Sequence, residues 1–156
     1  MFRNLFKKAN AEKPIEPIFP EEKISTGKIE FEDGVGFLIV NEAYNNYPNK
    51  KYFPWCIQIT LEYKDKNENG LPSESEADIL NKIEDDMEAF IKQSHQTHFI
   101  GRVTKRDFRD ILYYVDLPNF DEKSTREFLD RMNDIRKLNF SIEKDETWSF
   151  VSGLLK

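Results

Sequence analysis

One cysteine, Cys56, in 156 residues leaves no intramolecular disulfide to form. That fits a reducing compartment. Two histidines, His95 and His98, make a poor metal set. They lie three apart across the expected end of a helix, and Cys56 is far away in sequence, so no zinc-ligand spacing appears. The six glycines never gather into a loop ahead of a helix, which excludes the phosphate cradles of dinucleotide-binding and P-loop proteins. No apolar run approaches the roughly 20 residues of a spanning helix. The opening MFRNLFKKANAEKP has neither an uninterrupted apolar core nor a small-residue cleavage site. No signal peptide is expected, and the cytoplasm is the default location. Basic charge is also short, 23 Lys and Arg against 29 Asp and Glu, for a net of −6. That balance argues against general affinity for nucleic acid or anionic membrane.

Large apolar side chains are plentiful: thirteen Phe, six Tyr and two Trp. A chain of this length can bury a core without disulfides or metals. Residues 1–27 are expected to be a flexible or extended N-terminal segment, and 28–156 a single domain. MFRNLFKKA is basic and slightly amphipathic, and reads as a weak membrane or partner anchor or, in better agreement with its composition, as a tail or packing arm. Pro14, Pro17 and Pro20 then exclude helix.

KIEFEDGVGFLIVNEAY reads as a hairpin turning at Asp33-Gly34. FPWCIQITLEY alternates, with Phe53, Trp55, Ile57, Ile59, Leu61 and Tyr63 on a buried face and Cys56, Gln58 and Thr60 on a wetter one. SESEADILNKIEDDMEAF is densely acidic, yet Ile79, Leu80, Ile83, Met87, Phe90 and Ile91 recur at helical spacing. Asp85 and Glu88 fall on the solvent side and Glu84 and Asp86 on the two borders of the stripe. Glu76 falls inside it, explained by a capping box with Ser73 as N-cap. THFIGRVTKRDFRDILYYVDLP reads as two strands turning near 105–107, with Gly101 marking a bulge or a close backbone approach. A second helix follows, with Phe128, Leu129, Met132 and Ile135 inward and Ser124 with Glu127 at capping-box spacing. A last strand carries Phe140 and Ile142 inward. TWSFVSGLL closes the chain as a short helix or turn over an open edge of the core. After the hairpin the order is βαββαβ. The expected fold is therefore α+β and ferredoxin-like, an antiparallel sheet with two helices on one face and an added N-terminal hairpin.

DGVGFLIVN, the Pro-Trp strand opening, GLPSESEADILNKIEDDM, FIGRVTKRDFRDILYYVD and EKDETWSFVSGLL, in this order, resemble the bacterial domain of unknown function 695 over roughly 28–155. The matching positions are Gly70, Leu71, Leu80, Ile83, Glu84, Asp85, Gly101, Arg102, Thr104, Tyr114 and Trp148. Ile100 stands where valine is usual and Phe150 near a usual tyrosine. The resemblance implies a ferredoxin-like domain, similar in fold to the regulator of ribonuclease E activity B, a protein inhibitor of that nuclease. It transfers no residue roles.

No catalytic constellation stands out, and no cofactor is implied. Cys56 lies mid-strand, a poor setting for a nucleophile. The RNA-recognition motif shares the βαββαβ order but places aromatics on the outer face of its first and third strands. Here those positions include Cys56, Gln58 and Thr60; Tyr113 and Tyr114 alternate, so one could face outward, with Tyr114 expected to be partly buried or to meet the added hairpin. Arg102, Lys105, Arg106 and Arg109 surround one turn. Arg102, Arg106 and Arg109 are the candidate contacts for an acidic protein partner, and Arg102 is equally suited to pair with Glu84 or Asp85 of the adjacent helix. The expectation is a non-enzymatic protein-binding or regulatory module, monomeric or homodimeric, with a protein partner of unknown identity. The alternatives are a hydrolase or nuclease in which Glu84 and Asp86 converge with distant residues, or an RNA-binding domain.

Overall fold

The alternation of Trp55–Glu62 forms a strand at the heart of the sheet, labelled β3 below. The computed structural model describes residues 12–156, so the MFRNLFKKA segment lies outside the described residues. Along the chain come β1 (Ile24–Phe31), β2 (Gly34–Asn41), β3, α1 (Glu74–Lys92), β4 (Thr97–Lys105), β5 (Phe108–Val115), α2 (Glu122–Ile135) and β6 (Leu138–Lys144), with short 3-10 turns at Glu42–Tyr44, Lys50–Tyr52 and Ser149–Val151. The strands form one antiparallel sheet in the order β1-β2-β4-β5-β3-β6. The protein is α+β, and the β4-β5-β3-β6 portion is compatible with the ferredoxin-like expectation. The hairpin extends the sheet by pairing β2 with β4.

Both helices pack on one face. Ile57, Ile59 and Leu61 of β3 and Ile111, Tyr113 and Val115 of β5 meet Leu80, Ile83, Met87 and Ile91 of α1 and Phe128 and Met132 of α2. Each fully buried aliphatic side chain of this kind contributes roughly 1.5–3 kcal/mol. The helices touch through Phe90 and Phe128, stacked 4.2 Å apart.

Several local expectations need correcting. The hairpin turns on Glu32-Asp33, since Phe31 pairs with Gly34. Phe53 leaves the β3 alternation and joins a second core on the opposite face, because the chain enters the strand from a 3-10 turn. Ser73 does cap α1, accepting from the Glu76 N–H at 3.2 Å. The Glu76 carboxylate, however, does not return to the cap: the Ser73 N–H donates to the Asp65 carbonyl. Glu76 instead accepts two bonds from Arg136, from Nε at 2.6 Å and Nη2 at 2.7 Å, and one from the Lys64 N–H at 2.9 Å. These bonds, the Arg136 pair foremost, hold its carboxyl below the usual range. In α2 the cap is Asp121, which accepts from the Ser124 N–H at 2.9 Å, so Ser124 lies inside the helix. Ile135 is 41% exposed rather than inward, at the last helical position.

Gly101 proves to be both a bulge and a close approach. The β4–β5 register shifts between Phe99 and Gly101, and a Cβ there would collide with the Ile39 carbonyl oxygen of β2. Gly101→Ala is therefore expected to destabilise the fold by about 1–3 kcal/mol through forced separation of β2 from β4. Urea denaturation measures this; an unchanged midpoint would contradict so close a contact.

Candidate functional site

On the helix face, a polar seam joins α1 to β4 and β5. Arg102 Nη1 donates to Glu84 Oε2 at 2.6 Å, so of the two acids suited to pair with it, Glu84 is the one. Arg109 is only 4% exposed. Its Nε donates to Thr104 Oγ1 at 3.1 Å and its Nη1 to Asn81 Oδ1 at 2.8 Å, with Glu84 3.7 Å from Nη1. Arg106 is exposed at the β4–β5 turn, against Gly70. Gly70 has φ +76°, a region glycine occupies without strain. The three sequence-predicted contact residues thus separate, Arg102 and Arg109 turning inward together and Arg106 outward. Lys105 pairs with Asp110 at 3.0 Å and Lys66 pairs with Asp107, which neutralises much of the surrounding basic charge.

Glu84 and Asp86 do not converge. They lie on opposite borders of the α1 stripe, as their spacing requires. Glu84 faces β4, whereas Asp86 lies beside Phe90 and Met132 and pairs with Lys82 at 2.6 Å. Cys56 is buried, and burial pushes its thiol up to about 11, which keeps it protonated at neutral pH. Among the described residues, no group of three or more His, Cys, Asp or Glu side chains could hold a metal ion. Within the same residues, no helix is long and apolar enough to cross a membrane.

The opposite face of the sheet is more informative. Half of it is roofed by irregular chain. Trp148 stacks on Tyr114 at 4.2 Å and donates from Nε1 to the Phe53 carbonyl at 2.9 Å. The closing segment therefore covers a sheet face, not the open edge expected for it. Asp145 holds this roof down. It accepts from the Tyr114 hydroxyl at 2.6 Å, from the Ser149 N–H and hydroxyl at 2.8 Å each, and from the Phe150 N–H at 2.9 Å. Burial pushes its carboxyl up, but these bonds prevail and hold it below the usual range.

His98 of β4 is fully buried beneath the same roof. Its Nδ1 lies 2.6 Å from the Tyr44 hydroxyl, Phe53 meets it edge-on at 4.1 Å, and Phe19 of the N-terminal arm stacks on it at 4.7 Å. The other half of the face is open. It forms a trough of about 490 Å³ with Ile29, Val103 and Leu112 along its floor beside Cys56, Gln58 and Ser141, and Phe150 and Leu154 on the roof side. Two carboxylates, Asp110 and Glu143, border it. Phe150 is 55% exposed. Sequence reasoning missed this trough, because alternation within each strand does not say where a distant roof will stop.

The chain belongs to the family of unknown function DUF695, whose model matches residues 29–155. No curated protein and no solved structure matches it. The likeness to the ribonuclease regulator therefore finds no support there.

Burial pushes the His98 imidazole down from 6.5 to about 4. As pH falls below 6.5 the unfolded chain takes up a proton that the folded chain refuses. Stability is therefore unaffected above 6.5 and declines toward 4. Between pH 7 and pH 5 this residue alone is expected to remove about 2 kcal/mol. Urea midpoints at the two pH values test this, and His98→Leu should flatten the slope even if it lowers stability throughout.

Proposed function

We propose that this protein is a non-enzymatic binding module that receives a segment of another protein in the open trough of its outer sheet face. The trough itself carries the reading: a concavity with Ile29, Val103 and Leu112 on its floor, continuous with an exposed phenylalanine. An exposed aromatic at the wall of an apolar depression is the usual anchor of a protein interface. The borders specify the partner's chemistry. Glu143 has no ion-pair partner among the described residues. Asp110 is only partly offset by Lys105 and the Thr60 hydroxyl, at 3.0 and 2.7 Å. The fitting segment has one or two large apolar side chains beside a lysine or arginine.

The same geometry weakens the RNA reading. Tyr114 is the outward aromatic of β5, and it is stacked under Trp148 rather than offered to a base. Carboxylates at the trough's border would repel a phosphate backbone.

Panning a random peptide library on the immobilised full chain tests the proposal. Peptides combining large apolar residues with a basic one should be enriched, and Phe150→Asp and Glu143→Lys should each weaken the selected peptides about tenfold or more. Phe150 is exposed, so its replacement leaves the core alone. Absence of enrichment, or enrichment indifferent to both substitutions, would defeat the reading. A concentration-dependent dimer dissolved by Phe150→Asp would instead assign the trough to a second copy of the chain.

A further inference from the structure

Arg102 and Arg109 share one counter-ion. Glu84 lies 2.6 Å from Arg102 and 3.7 Å from Arg109, and both guanidiniums are largely removed from water, their side chains 22% and 5% exposed. Two positive charges against one negative leave a local excess of one. Of the other acids nearby, Glu76 pairs with Arg136 at 2.6 Å, Glu88 pairs with Lys92 at 3.3 Å, and exposed Asp85 lies with Glu88 along the side of Arg102 away from Arg109. A buried charge without a full partner is costly, and an arginine has five N–H donors to place. Arg109 uses Nε and Nη1, and its Nη2 has no acceptor among the described residues. Burial, then the charge of Arg102, pushes the Arg109 guanidinium down to about 10, which registers the same imbalance.

Both arginines line a depression of about 230 Å³ between β2 and the start of α1. Phe37, Ile39, Pro72 and Ala77 make its remaining walls apolar apart from Thr104. Phe37 is 46% exposed, so the mouth is open to solvent. The volume lies below the roughly 300–1,000 Å³ of drug-sized pockets, which limits the occupant to a small body.

We propose that this depression binds a carboxylate on a short apolar body, the carboxylate pairing with Arg109 and Arg102 and the body lying between Phe37, Ile39 and Ala77. The chemistry fits a free organic acid or the last residue of a polypeptide. The site lies on the other face of the sheet from the trough, so either can fail alone.

The test is a titration of the full chain with phenylacetate, followed by amide and arginine Nε resonances in nitrogen-proton correlation spectra. Phenylacetamide and inorganic phosphate serve as comparisons. Phenylacetate should bind with a Kd of about 1 mM or tighter and shift the Nε signals of Arg102 and Arg109. Ala77→Leu fills the depression from a half-buried helix position that favours leucine, and Arg102→Gln removes one donor group. Each should weaken binding about tenfold or more while leaving the rest of the spectrum folded. Acetyl-glycyl-leucine binding more tightly than phenylacetate would identify a polypeptide terminus, and weaker binding a free acid. No shift up to about 20 mM, equal binding of the amide, a preference for phosphate, or indifference to Ala77→Leu would overturn the assignment.

Discussion

Covering the second face of the sheet without a helix is the constraint on which much of this structure depends. Helices satisfy their own backbone groups, and irregular chain does not. The arm at 12–23, the connection at 42–54 and the C-terminal segment must therefore find acceptors and donors in side chains. Asp145 gathers four donors at the C-terminal roof. Asn49, fully buried, receives the Ile15 N–H and donates to the Ile15 carbonyl, both at 2.7 Å, which fastens the arm. Asn41 accepts from the N–H groups of Lys23 and Ala43 at 3.0 and 3.3 Å, where β2 ends. Three polar side chains thus replace the hydrogen bonds that a third helix would have brought with it. The aromatic cluster of Tyr44, Tyr47, Phe53, His98 and Trp148 then packs over a backbone already satisfied.

The periodic elements were legible because burial on one side imposes a period. All six core strands and helices of βαββαβ, and the hairpin before them, follow from alternation and helical spacing. The inward assignment of Ile57, Ile59, Leu61, Leu80, Ile83 and Met87 holds without exception. What escaped were partners distant in sequence. Glu76 looked like one half of a capping box, yet Arg136, sixty residues on, takes its carboxylate. Ser124 and Glu127 have capping-box spacing, but Asp121 is an equally good cap three residues earlier and wins the position. Phe53 fitted the β3 alternation, and only its place before Pro54 hints that the strand has not yet begun. The arginine cluster around the turn was visible as composition. Arg109 shares the inward phase of Ile111 and Tyr113 on β5, but the inward turn of Arg102 could not be read from spacing, because the Gly101 bulge changes the phase of β4.

Two ion pairs mark the seam between helices and sheet, Glu84 with Arg102 and Glu76 with Arg136. Replacing such pairs by apolar side chains is often neutral or stabilising, so their contribution is better read as registry than as strength. Each fixes α1 at one point along its length: Glu76 ties the first turn to the end of α2, and Glu84 ties the middle to β4. A helix held only by Leu80, Ile83, Met87 and Ile91 could slide by a turn with modest loss. With both carboxylates committed, it cannot. The small depression beside Arg109 keeps its shape because the element that walls it is pinned on both sides.

The two faces of the sheet then take different chemistry for one reason. On the helix face, both helices close over the apolar core, and the depression beside β2 lies where a polar seam interrupts that packing, so what opens there is small and cationic. On the outer face, the roof is built from irregular chain and ends where that chain ends. The aromatics available to that face, Tyr114 and Trp148 foremost, are consumed in fastening the roof. Beyond its rim the sheet presents aliphatic side chains from β1, β4 and β5, bordered by carboxylates. A surface of that composition favours apolar side chains next to positive charge, and its carboxylates oppose a phosphate backbone.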